Sequence, residues 1–240
     1  MNTDKTKSID EAADAIQRRF GIHALRTPQT ATITREIAHI STSYPVLDRA
    51  LGIGGIPGGH ITELIGRQTS GMGTLSLKIM ANAQGEGSTA VYVDTDATFD
   101  PIYAAACGVN VAALLLVRPK SLSKGFDIAG DLVNGKGVGV LVFDTGMEAP
   151  PPLATIVSRL VGILADSPCA LIVLVSLPLN HTLNGNRETV SPYASLRLRV
   201  EKDHWLKRRR EVSGYRARIT ILKNKLWTPS RPVTITICLH

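Results

Sequence analysis

The chain has 240 residues, 44% of them hydrophobic and 20% charged, with a formal net charge of +7. That length holds one sizeable core, or one core with a small appendage, and the composition is that of an ordinary globular protein. No apolar run is long enough to span a bilayer and the N-terminal MNTDKTKSIDEA has no signal-peptide core, so no membrane partner and a cytoplasmic location are expected.

The first expected element is a helix. Ser8 and Glu11 have capping-box spacing, and Ala12, Ala13, Ile16 and Phe20 form one apolar stripe that Gly21 ends. Residues from Ile22 to Ile40 read as a linker, which gives an N-terminal arm over 1–40 and a core domain over 41–240. From His60 the pattern changes. HITELIG reads as a strand, GRQTSGMGT as a glycine loop and TLSLKIMANAQGEG as a helix. TAVYVD, ALLLV, VGVLVFD and ALIVLVSLP are further apolar strands. Helical stretches separate them at PIYAAACG, FDIAGDLV and PLATIVSRLVGILADS. Apolar strands alternating with helices predict an α/β fold, with a mostly parallel sheet covered on both faces. ASLRLRVEK, YRARITILKNKL and PVTITICL alternate with period two and have no helices between them. They are expected to extend the sheet antiparallel at one edge.

Charge is unevenly spread. Tyr193 to His240 carries twelve Lys or Arg against three Asp or Glu, so the rest of the chain is slightly acidic. A basic C-terminal part suggests a polyanion such as nucleic acid, and equally describes a solvated sheet edge. Within it, DHWLKRRREVSG sets Lys207, Arg208, Arg209 and Arg210 in a row near Trp205 and is expected at a hairpin tip. Cations beside an indole suit phosphates and a stacked base, although a solvated turn has the same composition. The cysteines Cys107, Cys169 and Cys238 are odd in number and far apart, so free thiols are expected.

The loop raises the chemical question. Strand, glycine loop and helix occur in the order that aims backbone N–H groups at an anion. Gly66 and Gly71 have phosphate-loop spacing, and Thr69, Ser70 and Thr74 add hydroxyls. Working loops continue with Lys, for the β- and γ-phosphates, and then Ser or Thr for magnesium. Here those places hold Met72 and Gly73. Arg67 and Lys78 are nearby cations without a spacing that fits the role.

Together the segments STSYPVLDRALGIGGIPGGHITELIG, AVYVDTDATFDPIYAAACGVN, VGVLVFDTG and PYASLRLRVEK…YRARITILKNKL resemble the RecA recombinase family over nearly the whole chain. The resemblance implies a RecA-like P-loop NTPase core, with antiparallel edge strands and a short N-terminal helix. By the same resemblance, Met72 and Gly73 stand where the family has its loop lysine and threonine. Asp96 stands for its water-preparing glutamate, and Asp144 for its magnesium-side aspartate. Its γ-phosphate-sensing glutamine falls near Leu177. Asp100 and Tyr103 match the adenine pocket, although Asp100 also suits a helix cap and Tyr103 also suits packing on the sheet.

Lys223 and Lys225 match lysines that reach a neighbouring subunit's nucleotide. The helix with Ile16 and Phe20 matches the one that docks on a neighbour, so a homo-oligomer or filament is implied. The family's first DNA loop is reduced here to Pro150–Pro152. The second corresponds to PLNHTLNGNRETVSP, where Asn184, Asn186 and Arg187 are polar enough to touch DNA.

The expectation is a repair or recombination protein that binds single-stranded DNA. Its protein partner would be a RecA-type recombinase or an error-prone polymerase assembly. The degenerate loop more weakly resembles ImuA-type accessory proteins. No cofactor or metal is required on this reading, and ATP binds weakly without turnover. The alternatives are an active DNA-dependent ATPase that promotes strand exchange and a plain DNA-binding module.

Overall fold

The computed structural model describes residues 3–20, 37–146, 153–177, 192–208, 211–228 and 231–238. The chain divides into two compact units, Met1–Glu36 and Ile37–His240. In the first, α1 (Thr3–Phe20) is amphipathic. It begins before Ser8, so Ser8 lies inside the helix and not at its cap.

The second unit opens with two short strands, β1 (His39–Ile40) and β2 (Ile56–Pro57), which pair antiparallel around α2 (Pro45–Leu51). The stretch read as linker therefore ends in paired backbone. Asp48 closes this turn by accepting from Thr42 N and from the hydroxyls of Ser41 and Thr42.

The main sheet starts with β3 (Ile61–Arg67), followed by α3 (Met72–Gly85), β4 (Thr89–Asp94) and α4 (Pro101–Ala106). Then come β5 (Leu114–Val117), α5 (Leu122–Asn134), β6 (Val138–Asp144), α6 (Leu153–Ala165) and β7 (Ala170–Leu177). The chain continues with β8 (Leu196–Arg208), β9 (Glu211–Asn224) and β10 (Val233–Cys238). Among the described residues these strands form an eight-stranded sheet ordered β10-β9-β8-β3-β7-β6-β4-β5. The helices cover both faces. Leu75, Ile79 and Met80 of α3 and Leu47 and Leu51 of α2 pack on one. Phe126, Ala129 and Val133 of α5 and Val157, Leu160 and Leu164 of α6 pack on the other.

The α/β architecture matches the sequence reading, with one difference in direction. β8 joins β3 in parallel, with Gly66 opposite Val200, so the antiparallel extension is made by β9 and β10 alone. The reason is topological. β8 is not hairpin-linked to β7 but enters on the far side of β3, and period-two alternation says nothing about strand direction. The parallel strands therefore end together at the edge where the glycine loop begins.

Candidate functional site

The loop after β3 is shaped by steric exclusion. A Cβ on Gly66 would meet the Val200 carbonyl oxygen, with Ser70 Oγ at 2.7 Å and Met72 Sδ at 3.3 Å. Gly71 has φ 108° and caps α3, a conformation that side chains rarely adopt. Thr69 also has a positive φ, 59°, and Ser70 N donates to Arg67 O at 3.1 Å to close the turn. The first N–H groups of α3 have no acceptor inside the helix and face the loop end.

Side chains here do unequal things. Met72 does not stand at the mouth; it is 6% exposed and belongs to the core cluster under α3. Gly73 is exposed, and nothing lies within 4 Å of an added Cβ. Ser70 is 3% exposed, and its Oγ has no hydrogen-bond partner among the described residues. Thr74 Oγ1 shares a 2.7 Å hydrogen bond with Tyr103 OH. Thr69 Oγ1 accepts from Lys202 Nζ at 3.3 Å. The cradle thus fits an anion, with inward amides and an unmatched hydroxyl. It does not offer the magnesium ligand of a working loop, because Gly73 has no oxygen in its side chain.

The carboxylates lie at the ends of the neighbouring strands β4 and β6, where Asp94 and Asp144 are register partners. Asp94 is buried and structural. It accepts from Thr98 N, Phe99 N and Arg118 Nε, which ties down the turn after β4. Asp144 accepts from Tyr92 OH at 2.9 Å and from Gly146 N at 3.1 Å. Burial raises its carboxyl above the usual range, and the charges of Asp94 and Asp96 push the same way against those two hydrogen bonds. Asp96 is exposed at this rim, and Gly146 approaches its carboxylate.

Asp100 is the cap of α4, accepting from Ile102 N and Tyr103 N. Tyr103 packs part-buried against the core, and burial raises its phenol. Both structural readings of these residues are therefore realised, whatever else the residues bind. Leu177 ends β7 opposite Arg67, beside the loop.

The basic segment lies at the end of the β8–β9 hairpin, as its sequence led one to expect. Residues up to Arg208 are strand, and Trp205 pairs with Tyr215 and Arg208 with Glu211 across a long β8–β9 hairpin. Three register shifts interrupt this pairing along the 13 residues of β8, and irregularities of this kind increase local twist. Trp205 is 51% exposed and meets Tyr215 edge-on, with centroids 5.5 Å apart. Lys207 and Arg208 are exposed beside it. Arg209, Arg210, Asn184, Asn186 and Arg187 lie outside the described residues.

Lys223 and Lys225 sit towards the other end of β9. Lys223 is opposite Arg197 and donates to Pro192 O, and Lys225 N donates to Ser195 O. The structure does not bring them to this chain's own loop. Burial lowers the Lys223 amine, and the charges of Lys225 and Arg197 add to that. In the first unit Ile16 is 38% exposed on α1, and the side chain of Phe20 is not among those described.

The family model described as the RecA N-terminal domain matches residues 7–167, which include the loop and both carboxylate-bearing strand ends. This chain belongs to the RecA family. RecA of Herpetosiphon aurantiacus is 33% identical over 263 residues, covering 99% of this chain and 73% of that protein. RecA of Blastochloris viridis is 32% identical over 98% of this chain and 74% of its own length. RecA of Acidiphilium cryptum is likewise 32% identical, over 98% and 76%. Within this RecA-family chain, the sequence reading overlooked Lys202 and Tyr215, while it did single out Ser70. A signal for Lys202 was present: Leu196, Leu198 and Val200 alternate as core residues, and position 202 continues that face towards the loop.

Proposed function

We propose that this RecA-family chain acts in DNA recombination or repair as an accessory that binds single-stranded DNA and does not hydrolyse ATP. The observation that carries the reading is the lopsided site. Asp96 and Asp144 remain at the strand ends, while the two loop positions that handle triphosphate and magnesium hold a core methionine and a bare glycine. Phosphoryl transfer depends on cations that stabilise charge on the transferring group, and a single such donor is typically worth roughly 3–4 kcal/mol. On this reading ATP binds weakly and is not turned over.

The DNA contact is the β8–β9 hairpin, where Trp205 offers an exposed ring for base stacking with Lys207 and Arg208 beside it for phosphates. Its protein partner would be a recombinase filament or a translesion polymerase assembly, with homo-oligomers formed through the N-terminal helix. Two measurements test this. Phosphate release from ATP, with and without single-stranded DNA, is expected to stay at background. A rate that rises with DNA and falls in Asp96→Ala establishes the active recombinase instead. Lys207→Ala with Arg208→Ala is expected to weaken DNA binding and reduce its salt slope by about two. An unchanged slope removes the hairpin as the contact.

A further inference from the structure

Strand β8 carries its core face past the point where it stops pairing with β3. Leu196, Leu198 and Val200 are buried beneath α3, and Val200 is the register partner of Gly66, the first loop glycine. Alternation places residue 202 next on this face. There the side chain meets the loop and not the core. Lys202 Nζ donates to Thr69 Oγ1 at 3.3 Å. It lies 4.1 Å from the Trp205 ring centroid and 5.2 Å from that of Tyr215. The aromatic rings hold the ammonium in place without neutralising it. An ammonium has three donors, and Thr69 takes one of them.

The loop beside Lys202 is prepared for an anion on separate grounds. Ser70 is 97% buried by its 3% exposure, and its Oγ is without a hydrogen-bond partner among the described residues. This oxygen lies within the loop, 2.7 Å from where a Cβ on Gly66 would stand. A buried hydroxyl left unpaired is destabilising, and a ligand oxygen in the loop would relieve it. Gly71 turns the backbone into the 14-residue helix α3, whose first amides face the loop end.

We propose that Lys202 supplies, from a different strand, the cation that the loop lacks at residue 72. Lys202, Ser70 and the first amides of α3 together bind a polyphosphate, the chemical class that includes the phosphate tail of a nucleotide. The site binds without turnover, because Lys202 brings charge to the rim and no metal ligand to Gly73. This rests on the same loop as the proposed function and shares Trp205 with its DNA interface, but its test uses no DNA. Failure of polyphosphate binding is therefore distinguishable from failure of that reading, and ATP hydrolysis would sink the accessory role and the absence of turnover while leaving binding through Lys202 standing.

The probe is inorganic tripolyphosphate, and the reporter is Trp205. The chain has two tryptophans, so Trp227→Phe leaves Trp205 as the only indole. Titration is expected to change its emission, because the anion draws Lys202 off the ring. Calorimetry on the same protein should show Lys202→Met weakening binding by about tenfold or more, as expected for loss of a charge-assisted hydrogen bond. Lys202→Arg should retain most of the affinity. Ser70→Ala should weaken binding while raising the melting temperature, a combination that a purely structural serine does not produce. Lys124→Met, which removes one charge from the distant α5, should bind like the parent, and ATP should compete with tripolyphosphate. The proposal is overturned if tripolyphosphate fails to bind, if Lys202→Met binds as tightly as Lys124→Met, or if ATP does not compete.

Discussion

The middle of the sheet and the C-terminal ends of its strands treat charge in opposite ways. In the middle, Glu63 of β3 is fully buried and ion-paired to Arg197, its register partner on β8. At the ends, Asp96 is exposed, Asp144 is held above its ordinary carboxyl range, the Ser70 hydroxyl is unmatched, and Lys202 is shared between a loop threonine and two aromatic rings. The interior accepts a charge only when a partner compensates it, because desolvation is otherwise too costly. The rim can keep polar groups unresolved, since water or a ligand completes them.

That contrast can be broken first in the middle. Arg197→Met leaves Glu63 buried without its guanidinium, while the other Glu63 oxygen already lacks a partner among the described residues. A loss of about 3–5 kcal/mol in urea unfolding is expected, largely recovered by adding Glu63→Leu. If Arg197→Met alone is neutral, the pair contributes nothing and the distinction between the regions fails.

The loop offers a smaller and more informative change. Met72→Lys with Gly73→Thr restores the residues of a working loop. The threonine has open space, but the lysine replaces a methionine that is 6% exposed in the core. Stability is expected to fall by about 1–3 kcal/mol. ATP affinity should rise by about tenfold or more, because hydrogen bonds to charged groups contribute about 1.5–3 kcal/mol. Calorimetry showing lower stability and no gain in ATP binding would mean that the cradle backbone is not shaped for phosphate.

The finest test uses pH. Burial, with Asp94 and Asp96 nearby, raises the folded Asp144 carboxyl, so the folded chain holds that proton to a higher pH than the unfolded chain does. Stability from this group is full below the unfolded carboxyl value, about 3.9, and is lost as pH rises through the folded one. Asp144→Asn should therefore melt higher than the parent at neutral pH, with the difference shrinking in acid. A gain independent of pH would point to packing and not to charge.

Much of this was legible in the residues. Period-two and helical spacing marked the elements from β3 to β10, and the glycines at 66 and 71 marked the loop, because such patterns are properties of a few consecutive residues. The capping-box reading of Ser8 failed, since α1 begins earlier. The hairpin end carrying Trp205 and the cations after it was legible, but the strand was read as ASLRLRVEK, whereas β8 runs on to Arg208 because polar residues continue the pairing once the strand leaves the core. The direction of β8 was equally hidden, as alternation is blind to it.

The sequence by itself determined the element types, the strand–loop–helix order and the absence of lysine and hydroxyl at positions 72 and 73. Only the tertiary structure decided which charges meet. Thr69 and Lys202 are separated by 133 positions and touch because β8 lies beside β3 and runs past it to the loop. Contacts of that kind follow from strand order and register, and neither is written in any local stretch of the chain.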